Sequence, residues 1–206
     1  PSASDCPTAV SENCRRQAYK HVAAPLTGMT IYTGRGDQGQ TDLRTMERVS
    51  KDSRRIEAYG TVDEVNALVG VVRPTGYDDI DDDLRAIQNH LHIVQADFAN
   101  PQPDEDDPQI TEAHVEEIED IIDDADDELD PLESFILPSG SAPGAKLHHA
   151  RAVCRRAERR SVSLSAEEAG VNETAIIYLN RLSDTLFTLA RLVNKREGVR
   201  EESPNY

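Results

Sequence analysis

The sequence is poor in lysine and cysteine and has no long apolar run, and each shortage excludes a class of protein. With a formal net charge of -17 and only four lysines, a protein that coats nucleic acid or binds an anionic membrane surface is not expected. The three cysteines, Cys6, Cys14 and Cys154, form no C-x-x-C pair, so neither a disulfide framework nor a zinc ribbon is indicated. No apolar run approaches the roughly 18 residues of a membrane span. We therefore expect a cytoplasmic protein with no nucleic-acid or membrane partner.

The same charge balance predicts a halophilic protein. The chain has 18 arginines against four lysines, and its acidic residues outnumber its basic ones by 39 to 22. Concentrated salt screens the self-repulsion of such a surface. The alternative interpretation is an acidic protein that works at ordinary salt concentration.

The apolar residues that are present recur at spacings of three and four, which is typical of helices with one buried face. Helices are predicted over about residues 54–73, 80–98, 115–129 and 142–164. A fifth helix is predicted around Ile176 to Val193, with Asn172 as its N-cap and Gly198 after its end. Because no segment alternates with period two, we expect an all-α fold, a bundle of five helices with the last one central.

The pattern also predicts how the chain is divided. Residues 1–28 show no sustained periodicity and are expected to be a disordered N-terminal extension. Residues 29–198 are expected to form one helical-bundle domain, and residues 199–206 a C-terminal tail.

The stretch YTGRGDQGQT, residues 32–41, contains a literal G-x-G-x-x-G. A dinucleotide fingerprint needs a strand before the glycines and a helix opening on them, and the sequence offers little of either. The glycines still make a loop whose backbone N–H groups can converge on an anion, so a phosphate cradle and a simple turn both remain open.

Arginine is concentrated in the fourth predicted helix, in an otherwise acidic chain. Arg151, Arg155 and Arg159 are spaced by four and share one helical face, which suits a polyphosphate. The alternative is a surface face that pairs with the acidic second and third helices.

Other polar residues are weaker candidates. Asn180, Arg181 and Asp184 lie in the apolar fifth helix, where they are either hydrogen-bonded in the core or part of a site. Asp63 in the first helix, taken alone, is a structural carboxylate. His148 and His149 with Cys154 lack a metal-site spacing, and no metal-ligating residues are predicted.

Six ordered stretches resemble the PduO-type ATP:cob(I)alamin adenosyltransferases over about residues 29–198. They are IYTGRGDQGQT, ERVSKD, EAYGTVDEVNALVG, FILPSGS, ARAVCRRAERR and YLNRLSDTLFTLAR. The resemblance implies a five-helix bundle that assembles as a homotrimer, with ATP and cob(I)alamin at the subunit interfaces. It implies transfer of the 5′-deoxyadenosyl group of ATP to the cobalt of cob(I)alamin, with Mg²⁺ as cofactor, yielding adenosylcobalamin and triphosphate. A reductase and a cobalamin-dependent acceptor enzyme are the further partners it implies.

The resemblance also implies which residues form the site. Its nucleotide contacts are Thr33, Gly34, Arg35, Gly36, Asp37, Thr41, Lys51, Arg155, Arg156, Glu158, Arg159 and Asn180. Asp63 matches a family carboxylate that pairs with the arginine at position 151, in a salt bridge across the site and the interface. Phe135 matches an aromatic residue that closes over the lower face of the corrin and displaces its axial base. Many members carry Lys or Arg directly after the loop threonine, where this chain has Gly34, and Arg35 would supply that charge.

Two other functions remain open on sequence grounds. A non-catalytic carrier or regulator that binds ATP or cobalamin on the same bundle would use much the same residues. An acidic interaction scaffold is a third interpretation, and it predicts no thermal shift with ATP.

Overall fold

The computed structural model describes residues 32–206, in two parts: a short stretch of residues 32–36 and the unit Asp37–Tyr206. The predicted disordered extension, residues 1–28, lies outside the described residues. An antiparallel hairpin opens the larger unit, with strand β1 at Gln40–Asp42 and strand β2 at Arg48–Ser50.

Five α-helices follow the hairpin in the described chain. They are α1 Arg54–Val72, α2 Asp78–Phe98, α3 Glu112–Glu128, α4 Ala142–Glu167 and α5 Glu173–Arg196. The five helices predicted from the apolar spacing are confirmed, and their ends differ from the prediction by a few residues. The all-helical core of the prediction is therefore correct.

Three of these helices begin at a polar residue that accepts a hydrogen bond from the first turn. Ser53 accepts from the N–H of Ile56 at the start of α1, and Ser141 accepts from Gly144 at 3.2 Å at the start of α4. Asn172 caps α5 by accepting from Thr174 at 3.0 Å, as the sequence predicts. Each cap satisfies a backbone donor that the helix itself leaves unpaired.

Side-chain contacts show how the helices run. Arg54 pairs with Glu167, while further along α1 the carbonyl of Val71 accepts from Lys146, so α1 and α4 are antiparallel. Helices α4 and α5 are also antiparallel, since Ser141 contacts Asn194 at one end and Asn180 contacts Glu158 at the other. The site residues predicted on α1, α4 and α5 are thus carried by three neighbouring helices.

The core is built from the apolar faces of all five helices. Helix α5 has the largest share of buried positions, including Leu179, Leu182, Leu186 and the fully buried Tyr178. The prediction that the last helix is central agrees with this burial. Within the described chain, no helix is long and apolar enough to cross a membrane.

Among the described residues, 32–206, the hairpin is the one regular element that the sequence analysis missed. Its strands are three residues each, too short for an alternating pattern, and only Leu43 in the connecting turn is buried. In the described residues these two strands form the only sheet, and it is antiparallel, so the glycine stretch does not open a parallel βαβ unit. The dinucleotide interpretation is therefore excluded by the fold.

Candidate functional site

The glycine stretch holds backbone conformations that suit a tight anion-binding turn. Gly34 has φ 69° and Gly39 has φ 75°, in the left-handed region that side chains rarely adopt. Thr33 accepts a hydrogen bond from the backbone N–H of Arg35 at 3.4 Å, a local turn within residues 32–36. Such turns leave successive N–H groups available to one acceptor.

The hairpin places Lys51 beside the end of that stretch. The backbone N–H of Lys51 donates to the carbonyl of Gly39 at 2.9 Å, and Thr41 pairs with Val49 in the ladder. The side chain of Lys51 is exposed. The hairpin therefore brings Thr41 and Lys51, two of the predicted nucleotide contacts, to one short element, and Asp37 precedes it in the chain.

Helix α4 carries two sets of arginines in different environments. Arg156 pairs with Glu64 of α1 at 2.5 Å, and Arg160 pairs with Glu57 of α1 at 3.4 Å. We call these the paired arginines. The alternative in which this helix pairs with α2 and α3 is thus not observed among the described residues, because its partner carboxylates belong to α1.

The other set is exposed and has no carboxylate partner. Arg155 and Arg159 are exposed, and the guanidinium group of neither forms a hydrogen bond or an ion pair with any described residue of the chain. Arg151, one turn before, is half-buried and stands over the ring of Phe187 at 5.2 Å. We call Arg151, Arg155 and Arg159 the open edge of α4. Its guanidinium groups are free to bind an anion.

Asn180 and Glu158 lie next to this edge and bind each other. The Nδ2 group of Asn180 donates to a carboxylate oxygen of Glu158 at 2.9 Å. Arg181 pairs instead with Glu119 at 2.6 Å and lies 3.6 Å from Asp184. Of the three polar residues of α5 singled out in the sequence, only Asn180 joins the candidate site, and none of them is buried in the core.

Near Arg151, at the start of the open edge, the surroundings on one side are apolar and uncharged. His148 is buried and lies 5.9 Å from the ring of Phe187. Burial, and then the positive charge of Arg151, lower the pKa of His148, so its imidazole is neutral at pH 7. Cys154 is buried within α4, and burial raises the pKa of its thiol, which makes it an unreactive core residue.

Asp63 is exposed on α1 and lines a shallow cavity with Asn66, Arg85 and Gln88, among others. Within the described single chain, no ion pair joins Asp63 to Arg151. Both residues therefore remain available to a neighbouring subunit, and their pairing stays a prediction.

Phe135 lies in the segment between α3 and α4, and its side chain is 80 % exposed. A contiguous exposed apolar patch, unlike a single exposed apolar side chain, marks a binding surface. Leu132 and Leu137 of the same segment are also exposed.

Several residues of this site were missed in the sequence. Glu57 and Glu64 hold the paired arginines, and they are seven apart on α1, which places them on one face. The sequence shows this spacing, but it does not show that α1 is the helix that packs against α4. Asn194 and Phe187, which contact the start of α4 and its Arg151, were also missed.

The bundle presents an arginine edge and an exposed aromatic segment, as a helical protein that binds an anionic ligand would. The glycine turn, residues 33–41, precedes the helices in the chain. The family model "Cobalamin adenosyltransferase" matches residues 31–193. The chain belongs to this family.

Named relatives agree with that assignment. The chain is 42 % identical over 176 residues to a corrinoid adenosyltransferase of Bacillus subtilis, covering 83 % of this chain and 90 % of the relative. It is 42 % identical over 170 residues to one of Mycobacterium tuberculosis, covering 80 % of this chain and 88 % of the relative.

A solved structure has the same fold. A PduO-type ATP:corrinoid adenosyltransferase from Lactobacillus reuteri, in a phenylalanine-to-alanine variant complexed with cobalamin and ATP, superposes with a TM-score of 0.80 at 33 % identity. The match covers 86 % of this chain and all of that one. An arginine-to-lysine variant of the Lactobacillus reuteri enzyme, complexed with ATP, gives a TM-score of 0.78 at 33 % identity, covering 85 % of this chain and all of that one.

Proposed function

We propose that this protein transfers the 5′-deoxyadenosyl group of ATP to the cobalt of cob(I)alamin, forming adenosylcobalamin and triphosphate. The observation that carries the proposal is the open edge of α4. Arg155 and Arg159 stand exposed and without an ion pair in the described chain, whereas Arg156 and Arg160 of the same helix are neutralised. Triphosphate is a ligand that planar, bidentate donors of this kind recognise.

The nucleotide end of the site is proposed to use both the open edge and the glycine turn. Arg155 and Arg159 would bind phosphate oxygens, and Arg156 would join them by exchanging its bond to Glu64. The backbone N–H groups of residues 33–37, with Thr41 and Lys51, would enclose the phosphates. Glu158 and Asn180, already hydrogen-bonded to each other, would bind the polar groups of the nucleoside.

Mg²⁺ fits this arrangement as a companion of the phosphates. No cluster of three or more His, Cys, Asp or Glu side chains in the described residues could form a protein cage for a metal ion. Mg²⁺ commonly keeps several waters and binds through substrate phosphates. We therefore place its ligands on the triphosphate rather than on the protein.

The corrinoid end is proposed to lie at Phe135. Its exposed ring would close against the lower face of the corrin and displace the axial base. Cobalt without that ligand is four-coordinate and easier to reduce, which lets a mild cellular reductant generate cob(I)alamin. A reductase and an enzyme that accepts the product are therefore part of the proposal, in the cytoplasm that the cysteine usage predicts.

The reaction itself needs little acid–base chemistry from the protein. The electron pair of Co(I) attacks C5′ of ATP, the cobalt–carbon bond forms, and the C5′–O bond electrons leave with triphosphate. The protein must hold C5′ in line and stabilise the charge on the leaving triphosphate. Stabilising the leaving triphosphate requires positively charged groups beside the phosphates.

We further propose a homotrimer in which each site is shared. The glycine turn of one subunit would face the open edge of its neighbour, and Asp63 would pair with Arg151 across the interface. In support, neither Asp63 nor Arg151 has an ion pair within the described chain. A shared site would satisfy both charges on assembly.

The proposal is tested by incubating the protein anaerobically with ATP, Mg²⁺ and chemically reduced cobalamin, and following the cobalt spectrum. We expect carbon–cobalt bond formation with stoichiometric release of triphosphate. Binding of both ligands without that spectral change would contradict the proposal and identify a carrier or regulator.

A further inference from the structure

The exposed aromatic of this site lies in a segment with no helix or strand of its own, residues 130–141, which we call the Phe135 segment. A segment of this kind needs tertiary contacts to hold one conformation. We propose that Asn194 of α5 is a positioning residue, which fixes the Phe135 segment and the start of α4 in a single register. This inference rests on the proposed role of Phe135.

Both the oxygen and the nitrogen of the Asn194 amide bind this segment. Its Oδ1 accepts from the N–H of Ser141 at 2.9 Å and from the hydroxyl of Ser141 at 3.1 Å. Its Nδ2 donates to the carbonyl of Ser139 at 3.0 Å. The residue is 4 % exposed, so these bonds are shielded from water and costly to leave unmade.

Two glycines admit Asn194 to this position. A Cβ atom on Gly140 would lie 2.2 Å from Oδ1 of Asn194, and one on Gly144 would lie 2.1 Å from the same atom. Gly140 also has φ 133°, a conformation that side chains rarely adopt. The amide therefore fits a space that exists only because the facing backbone has no side chains there.

Through Ser141 the same amide also sets the first turn of α4. Ser141 is the N-cap of that helix, since its hydroxyl accepts from the N–H of Gly144 at 3.2 Å. Arg151 follows about 15 Å further along the rigid helix axis. One side chain thus holds both the segment that carries Phe135 and the helix that carries the open edge.

The other end of the segment is tied to the same face of α5. Arg191 donates to the carbonyl of Asp130 at 2.8 Å, and Lys195 pairs with the carboxylate of Asp130 at 3.0 Å. These positions are three residues before and one after Asn194, so all three side chains reach the same connecting segment. Phe135 lies between two fixed ends, while its own ring stays in solvent.

The decisive variant is Asn194→Asp, which preserves size and the acceptor for Ser141 but removes the donor to Ser139. Asn172→Ala is the matched control, because Asn172 lies at the opposite end of α5 and makes its hydrogen bonds to Asp97, Ile110 and Thr174. Both variants are expected to lower the melting temperature. Only Asn194→Asp should change how cobalamin is held.

Three readouts separate positioning from stability. For Asn194→Asp, measured well below its melting temperature, we expect kcat to fall about 10-fold with the KM for ATP within about 2-fold of wild type. The fraction of bound cob(II)alamin in the four-coordinate state, read from its electron paramagnetic resonance spectrum with ATP present, should fall too. Amide exchange at Leu137, in the middle of the segment, should become faster, and in Asn172→Ala it should not.

An Asn194→Asp protein with wild-type kcat, wild-type four-coordinate fraction and unchanged exchange would overturn the inference. Equal losses of kcat in the two variants would overturn it as well, because they would report stability alone. A wild-type protein without adenosylation would instead contradict the proposed function, and the exchange comparison would then still decide whether Asn194 holds the segment.

Discussion

Helix α4 has two arginine surfaces with the same composition and different surroundings. On one, Arg156 and Arg160 are neutralised by Glu64 and Glu57 of α1. On the other, Arg155 and Arg159 have no ion pair in the described chain. Surface ion pairs stabilise a fold only slightly, so the paired surface mainly orients α4 against α1. The unpaired surface has no such structural partner, and a ligand is the simplest reason for its charge.

The difference between the two arginine surfaces is tested most directly by removing one arginine from each. Arg155→Ala should lower kcat/KM for ATP about 100-fold, because a charge-assisted bond to phosphate is lost. Arg160→Ala is the control from the paired surface and should stay within about 2-fold of wild type. Steady-state kinetics at saturating reduced cobalamin measure both. Equal effects of the two substitutions would remove the distinction between the surfaces.

A second substitution separates the nucleotide end from the corrinoid end. Phe135→Ala should lower kcat about 30-fold and change the KM for ATP by less than about 2-fold, since the contact proposed for the ring is with the corrin rather than with the phosphates. Val71→Ala removes an exposed apolar side chain of α1 and serves as the control. Equal losses in turnover and ATP affinity would refute the role assigned to Phe135.

The salt dependence of stability tests whether the excess of acidic residues is tolerated because dissolved salt screens their mutual repulsion. If the protein is halophilic, its melting temperature should rise by about 10 °C between about 0.1 M and about 2 M KCl, as repulsion among its acidic residues is screened. Differential scanning calorimetry gives the value. Maximal stability at the lower salt concentration would support an acidic protein of ordinary environments.

The smallest effect is expected at an acidic cluster on α2 and α3. Burial, followed by the charges of Asp79, Asp124 and Asp82, raises the pKa of Asp83 to about 6. Its folded pKa is above the unfolded value, so the ionised carboxylate costs stability as the pH rises through about 6. Asp83→Asn should therefore raise the melting temperature by about 2 °C at about pH 7.5, after allowance for solvent screening.

The same substitution should give no gain near about pH 4, where the folded carboxyl is protonated and carries no charge to repel its neighbours. Asp123→Asn on α3, an exposed carboxylate, is the control and should leave the melting temperature unchanged at either pH. A gain for Asp83→Asn that persists at low pH would show that crowded charge is not its cause.

The helices were predictable because their apolar faces are long and regular. The buried residues of α2, from Ile80 through Leu84, Ile87 and Leu91, repeat the spacing read from the sequence. Caps such as Asn172 were predictable too, since the capping preference is local. The hairpin was not, because two strands of three residues carry no periodic signal.

The candidate site was predictable only in part, because several of its features depend on tertiary contacts between residues far apart in the sequence. The spacing of Arg151, Arg155 and Arg159 placed them on one face, but which arginines are neutralised depends on α1 lying antiparallel to α4. The contact of Asn194 with Ser141 joins residues 53 positions apart. No local pattern in a sequence shows such a contact.

The most direct test of the central claim is a structure of the assembled protein with ATP. The account predicts guanidinium groups of Arg155 and Arg159 within hydrogen-bond distance of phosphate oxygens, with residues 33–41 of a neighbouring subunit enclosing the same phosphates. Triphosphate bound elsewhere, with the open edge of α4 still in solvent, would contradict it.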